Sequence, residues 1–264
     1  MRVMASGSTP AMLGAVLLGS VARAPAAERH RYEVFMNEPW PAGCRTACHS
    51  GPCKHWVDGI PDWTKWGILA NPNSTDDGPV VVTQFGKDGV GGKVPRFQGQ
   101  TAGNWNASNA TAVFGGLPQL MDMKAHLAQL EVDIVAILPD ADSSGVATLD
   151  WEAWKPNFRD NGWEEYWIYI NRSIALVQQQ HPGWPPEMQV AQAETDFNHA
   201  SQTLWNSTIK LCRKLRPKTT WGWYNFPGEA NGSPANPGPD DRMMWIYENV
   251  DALFPSTNSE IRQP

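Results

Sequence analysis

The chain has 264 residues, of which 41% are hydrophobic and 18% charged, and its formal net charge is −6 at pH 7. These proportions are typical of one folded globular domain and exclude a disordered chain. The negative charge argues against nucleic acid as a partner, because no basic stripe balances a phosphate backbone. An anionic polymer would need a local basic patch. The fourteen tryptophans suit stacking on sugar rings, but they suit the filling of a core equally well.

The N-terminus has the pattern of an export signal. Arg2 precedes an apolar run at 11–22, and the small residues Ala22, Ala24, Ala26 and Ala27 suit cleavage. Residues 1–27 are therefore predicted to be a signal peptide. The run is too short to span a membrane, and we expect no membrane span elsewhere. Six N-x-S/T sequons predict a glycoprotein of the secretory pathway, either secreted or lysosomal. They begin at Asn73, Asn106, Asn109, Asn171, Asn206 and Asn231.

The next feature is a cysteine-rich loop. Cys44, Cys48 and Cys53 lie close together, and Cys212 is the fourth cysteine. In an exported protein four cysteines favour disulfides, for which three pairings exist. Closeness in sequence favours a local bridge between Cys48 and Cys53. Zinc is the alternative because two histidines lie nearby, but the ligand spacing is irregular and we expect no metal. Cys212 falls in an amphipathic helical pattern and fits a plain buried thiol.

Apolar runs predict strands at 32–36 and 80–84, with proline- and glycine-rich loops after each of them. Further strands are predicted at 146–149, 220–225 and 251–254. Apolar residues at helical spacing predict helices at 121–138, 164–180 and 187–216. This alternation indicates an α/β architecture with a parallel sheet or barrel, and no internal repeat or domain linker is visible.

Two acidic residues follow the predicted strand at 146–149. Asp150 and Glu152 are two positions apart, so strand alternation places both side chains on one face, within about 7 Å along the chain. In α/β barrels active sites lie at the carboxyl ends of the strands. Because two close carboxylates do not both ionise readily, one can keep its proton and act as a general acid while the other stays charged. A solvated strand end is the more frequent meaning of a bare D-x-E pattern.

The motifs around this pair resemble the hyaluronidase family of glycoside hydrolases. Residues 149–156 (LDWEAWKP) are similar to the active-site strand of that family. Further motifs occur in the family's order and at its approximate spacing: FGGLPQ at 114–119, HPGW at 181–184, and LRP at 215–217 leading to WGWY at 221–224. The resemblance implies, for residues 28–264, a TIM-like (β/α) barrel of mostly parallel strands that is incomplete at its C-terminus and needs no cofactor.

The resemblance also implies an activity. A monomeric, secreted endo-β-N-acetylhexosaminidase would cleave β-1,4 bonds of hyaluronan or chondroitin with retention. The nucleophile would be the substrate's own acetamido oxygen, an exception to the scheme with two catalytic carboxylates. Glu152 would protonate the leaving oxygen and then activate water. Asp150 would hold the proton on Glu152 and orient the acetamido group.

Substrate-binding residues also follow from the resemblance. Tyr224 matches a tyrosine that positions the acetamido group, and Lys155 stands where relatives commonly have Arg, so it keeps a positive charge but loses the bidentate geometry. Trp154 and Asn37 are further expected substrate contacts. Phe85 stands where relatives have a tyrosine.

The resemblance further implies a longer chain. Relatives continue past the position of Pro264 with more strands and with the cysteine that pairs with the counterpart of Cys44. The alternative function is therefore that of a truncated, non-catalytic, hyaluronidase-like glycan-binding protein. The intact Asp150 and Glu152 favour the enzyme.

Overall fold

The structure is a computed structural model that describes only part of the chain. It describes residues 2–6, 18–19, 32–37, 68–70, 80–83, 91–99, 110–162, 166–226 and 241–255, with side chains only from residue 91 onward. The strands are β1 (Arg2–Ser6), β2 (Leu18–Gly19), β3 (Tyr32–Asn37), β4 (Ile68–Ala70), β5 (Val80–Thr83), β6 (Arg96–Gln98), β7 (Thr111–Val113), β8 (Val146–Leu149), β9 (Thr220–Trp223) and β10 (Ala252–Leu253).

Within the described ranges the strands form three sheets. β5, β8 and β9 pair in parallel, with β8 in the centre. A second sheet has the order β10-β1-β3, also parallel, with β4 parallel to β3 and β2 antiparallel to it. The strands β6 and β7 form a separate antiparallel pair. An isolated bridge between Tyr224 and Phe254 joins the ends of β9 and β10.

Four helices surround the described strands: α1 (Met123–Ile137), α2 (Trp167–Gln180), α3 (Pro186–Leu215) and the short α4 (Met244–Tyr247). The helix α1 begins where the Asp122 carboxylate accepts a hydrogen bond from the Ala125 N–H at 2.9 Å, which caps one of the free N–H groups of the first turn. Pro186 opens α3, because its fixed φ suits the first helical position. The helix α3 packs against both α1 and α2. None of the helices in the described ranges is long and apolar enough to span a membrane.

The core between sheet and helices is aromatic. All residues of β8 and β9 are buried, as expected for parallel strands that are covered on both faces. Trp205 of α3 lies 4.1 Å from Trp223 of β9 between ring centroids. Gly222 lets β10 approach, because a Cβ at this position would collide with the carbonyl oxygen of Ala252 and the ring of Phe254. The tryptophan content of the chain therefore serves packing in this region.

The predicted α/β architecture with mostly parallel strands is confirmed, whereas a closed barrel is not shown. The predicted strands and helices appear within a few residues of the expected bounds. The strand β9 ends early because Asn225 adopts a left-handed φ of 62°. The pair β6–β7 was not expected, since the sequence between its strands is polar. The segment predicted to be a signal peptide contributes β1 and β2, and its cleavage stays a prediction.

Candidate active site

The predicted carboxylates lie at the carboxyl end of β8, the central strand of its sheet. Asp150 follows the last strand residue and is half-buried, Trp151 is buried, and Glu152 is exposed. This pattern is what an extended chain gives when alternate side chains point to opposite sides. Glu152 is therefore open to a ligand in solvent, while Trp151 holds the same segment to the core.

Tyr224 leaves the neighbouring strand at the same end. The last residues of β8 and β9, Leu149 and Trp223, are register partners, and the Tyr224 N–H donates a hydrogen bond to the Leu149 carbonyl oxygen at 2.8 Å. Asp150 and Tyr224 are thus the residues that directly follow two adjacent parallel strands. Tyr224 is 8% exposed, so little more than one edge of its side chain reaches solvent. The structure brings this tyrosine and the carboxylate pair to one edge of the sheet.

Lys155 lies in the loop that follows the carboxylates and is half-buried. Its backbone is fixed by the side chain of the buried Asn161, whose Oδ1 accepts from the Lys155 N–H at 2.8 Å and whose Nδ2 donates to the Lys155 carbonyl oxygen at 2.9 Å. Its ammonium lies 5.4 Å from the ring centroid of Tyr166, within cation–π range. The loop that follows the carboxylates therefore carries the positive charge of Lys155 on an anchored backbone.

Trp154, which is predicted to contact substrate, packs in the core. It is 2% exposed, and its indole N–H donates to the Pro95 carbonyl oxygen at 2.8 Å. Its ring lies against Phe197 and Trp205. The sequence does not reveal which side chains of a loop turn inward, and the substrate contact of Trp154 stays a prediction. Trp154 ties the loop after Glu152 to the segment before β6.

Several predicted residues lie outside the described part of the chain. These are the side chain of Asn37 at the end of β3, the cysteines Cys44, Cys48 and Cys53, and the sequons at Asn73, Asn106, Asn109 and Asn231. Their predicted roles stay predictions. Cys212 is described: it is a free, buried thiol, as expected, and burial raises the pKa of that thiol. The described residues contain no group of three potential metal ligands.

Two sequons are described, and both lie within helices. Asn171 of α2 is exposed, whereas Asn206 of α3 is half-buried. The hydroxyl groups of both sequons are buried: Ser173 accepts a hydrogen bond from the Gln119 amide at 2.9 Å, and Thr208 lies 2.9 Å from a ring nitrogen of His126. Of these two asparagines, Asn171 is the better placed to bear a glycan in the folded protein.

A buried histidine behind the carboxylates was missed by the sequence reasoning. His126 of α1 is fully buried and its ring lies 5.8 Å from that of Trp151. Burial lowers the pKa of His126 to about 4, with the backbone of Lys93 and the charge of Asp133 opposing that shift. Its position four residues before Leu130, on the apolar stripe of α1, was the available signal.

Comparison with known proteins places this arrangement in a family. A family model described as hyaluronidase matches residues 47–263. Hyaluronidase-1 of Sus scrofa is 35% identical over 214 residues, which are 77% of this chain and 46% of that protein. A chondroitin hydrolase of Caenorhabditis elegans is 33% identical over 217 residues, covering 75% of this chain and 45% of that protein. The chain thus spans about half the length of these relatives.

A solved structure agrees with the sequence comparisons. Bee venom hyaluronidase in complex with a hyaluronic acid tetramer superposes with a TM-score of 0.65 at 27% sequence identity, covering 82% of this chain and 65% of that one. The match of the family model over most of the sequence is the decisive finding. The chain belongs to the hyaluronidase family.

Proposed function

We propose that this chain carries the catalytic carboxylates of a glycosidase that hydrolyses the β-1,4 N-acetylhexosaminide bonds of hyaluronan or chondroitin. The observation that supports this most directly is the exposed Glu152 at the carboxyl end of β8, with Asp150 two residues before it and Tyr224 on the adjacent strand. That edge of a parallel sheet is where α/β enzymes build their sites.

Glu152 is the proposed general acid and base. It is the exposed member of the pair, so it can approach a glycosidic oxygen that comes from solvent. Its proton passes to the leaving oxygen as the C1–O bond breaks, and the resulting carboxylate later accepts a proton from the attacking water.

The substrate's acetamido group is the proposed nucleophile. Its carbonyl oxygen attacks C1 as the leaving group departs, and water then opens the cyclic oxazolinium intermediate at C1, so that two inversions give net retention. Asp150, which is half-buried and held next to β8, stabilises the positive charge that develops on the acetamido nitrogen. Tyr224 orients the acetamido group from the neighbouring strand.

The proposed substrate class is supported by the relatives and by a local charge. One relative is named a chondroitin hydrolase, and the solved bee venom enzyme was crystallised with a hyaluronic acid tetramer. Both polymers carry carboxylates, whereas this chain has a net charge of −6. Lys155, on its anchored loop three residues after Glu152, supplies the positive charge that such a polymer needs.

We also propose that the protein is a secreted glycoprotein. The N-terminal signal pattern and the sequons support this, and Asn171 is exposed on α2. Asn37, at the carboxyl end of β3, remains a proposed substrate contact. The loop cysteines remain proposed disulfide partners.

The test is hydrolysis by matched variants. Reducing ends released from hyaluronan and chondroitin are measured for wild type, Glu152→Gln, Asp150→Asn and the control Glu131→Gln, an exposed carboxylate on α1. The amide of Glu152→Gln cannot deliver a proton, so activity should fall by about 10²- to 10⁴-fold. Asp150→Asn should also lose activity, and the control should not.

Two outcomes contradict the proposal. Retained hydrolysis by a Glu152→Gln variant with wild-type circular dichroism would exclude Glu152 as the acid. A folded wild type that binds these polymers without cleaving either would identify a glycan-binding protein. NMR of the first-formed reducing end tests retention, since an inverted anomer excludes the acetamido mechanism.

A further inference from the structure

Trp151 is held by three aromatic rings from three different elements. The ring centroid of Trp223 in β9 lies 4.7 Å from it, that of Trp205 in α3 5.5 Å, and that of His126 in α1 5.8 Å. The interplanar angles are 61°, 84° and 78°, so the contacts have the edge-to-face geometry that aromatic pairs favour. Because Trp151 separates Asp150 from Glu152 in the chain, these rings fix the segment that bears both carboxylates.

His126 is the polar member of this group, and its ring is held in one orientation. Its Nε2 lies 2.9 Å from the Thr208 hydroxyl, which in turn lies 2.8 Å from the Leu204 carbonyl oxygen. The Thr208 hydroxyl thus links the His126 ring to the backbone of α3.

The other side of the His126 ring is closed by a glycine. A Cβ on Gly92 would lie 2.6 Å from both Cε1 and Nδ1 of that ring, and Gly92 has a φ of +85° that favours glycine. The Gly91 and Gly92 N–H groups donate to one Asp133 carboxylate oxygen at 2.9 and 2.8 Å. The backbone against His126 is thereby anchored to the helix that bears His126, which leaves the ring little room to turn.

We propose that His126 is a positioning residue for the Asp150–Glu152 pair, acting through the Trp151 ring. The inference rests on the proposed function, since it assigns His126 a role in that same reaction. An ordinary core contact stabilises the fold wherever it lies. This contact reaches the indole of Trp151, the residue that separates Asp150 from Glu152 in the chain, and a displacement of reacting groups by about 1 Å can lower a rate by about 10²-fold.

The two explanations differ in what they predict for kinetics. If His126 serves only stability, its loss lowers the fraction of folded enzyme but not the turnover of the folded molecules. If it positions the carboxylates, the loss lowers kcat while KM changes little, because geometry in the transition state is affected more than substrate binding. A replacement that restores a ring should restore kcat.

The experiment compares four variants by kcat, KM and near-ultraviolet circular dichroism of the coupled tryptophans. His126→Leu removes the ring, His126→Phe keeps one, and Thr208→Val removes the bond that orients it. Ile134→Val is the control, since Ile134 is fully buried two turns further along α1. We expect a kcat loss of about 10- to 100-fold for His126→Leu, a smaller loss for Thr208→Val, and near-wild-type kcat for His126→Phe and Ile134→Val.

The results separate failure of the positioning role from failure of the proposed function. A wild-type kcat per folded molecule in His126→Leu overturns the positioning role while leaving the proposed function intact. Should that variant fail to fold, an unchanged kcat and tryptophan spectrum in Thr208→Val has the same meaning. A folded wild type without hydrolytic activity refutes the proposed function itself, and the positioning role with it.

Discussion

The carboxyl and amino ends of β8 and β9 are stabilised by different interactions. At the carboxyl end the chain leaves Glu152 exposed and Asp150 half-buried, and the support comes from aromatic rings packed behind them. At the amino end, polar side chains bond to backbone groups and to one another. The carboxyl end thus exposes the candidate catalytic residues to solvent, whereas the side chains at the amino end stabilise the fold.

The amino end depends on one buried guanidinium. Arg216 is 4% exposed, and it donates to the carbonyl oxygens of Leu138 at 2.6 Å and Leu215 at 2.8 Å. Leu138 caps the C-terminus of α1 and Leu215 is the last residue of α3. A single cation therefore binds carbonyl groups at the C-termini of two helices, where the helix dipoles favour positive charge. Thr219 adds a hydrogen bond to the Ser143 carbonyl at 2.7 Å.

An ion pair extends the same network. The Arg213 Nε donates to Asp251 Oδ2 at 3.1 Å, and that oxygen also accepts from the Trp221 N–H at 3.1 Å. This links the end of α3 to β9 and to the residue before β10. The comparison teaches that substitutions at the amino end should change stability alone, whereas those at the carboxyl end should change turnover as well.

The largest stability effect is expected at the carboxyl end in acid. The folded-state pKa of His126 lies at about 4, below its usual value of 6.5, so the unfolded chain binds the proton more tightly. The contribution of neutral His126 to the free energy of unfolding is fully present above pH 6.5 and is lost as pH falls toward 4. That loss amounts to about 3 kcal/mol, from 1.36 kcal/mol for each pKa unit.

Urea unfolding of wild type and His126→Phe at pH 7.5 and 4.5 measures this loss. Other groups titrate in the same range, so the difference between the two proteins isolates the histidine. The free energy of unfolding should fall more steeply with acid in wild type than in the variant. Equal falls in both proteins would show that His126 contributes nothing to the acid sensitivity of this end.

A smaller effect is expected from removing the cation at the amino end. Arg216→Met leaves the Leu138 and Leu215 carbonyls without this donor but also removes a buried charge, so we expect a net loss of about 2 kcal/mol. The kcat per folded molecule should not change. Lys214→Met, exposed on the same helix, is the control and should stay within about 0.5 kcal/mol. A lowered kcat in folded Arg216→Met would show that the amino end also affects turnover, against the distinction drawn between the two ends.

The sequence predicted one end of the sheet better than the other. The apolar run before Asp150 and its D-x-E pattern identify the strand and the carboxylates together. Arg216 was visible within a motif, but its role depends on two helix ends that meet only in the fold. His126 shares a helical stripe with Leu130 and Ile134, yet a histidine there does not reveal that it lies against Trp151. Such contacts between distant segments leave no periodic signal.

The smallest effect is expected at two asparagines on the helices, where a change should alter neither activity nor stability. Asn171 is exposed and Asn206 half-buried, and a glycan must project into solvent from its asparagine. We expect Asn171→Gln to remove one glycan from the secreted protein and Asn206→Gln to remove none, which intact mass before and after N-glycosidase treatment would show. Both variants should unfold within about 0.5 kcal/mol of wild type, because surface changes usually do. A glycan lost with Asn206→Gln but kept in Asn171→Gln would mean that the glycan is attached before α3 packs, and that exposure in the fold does not select the site.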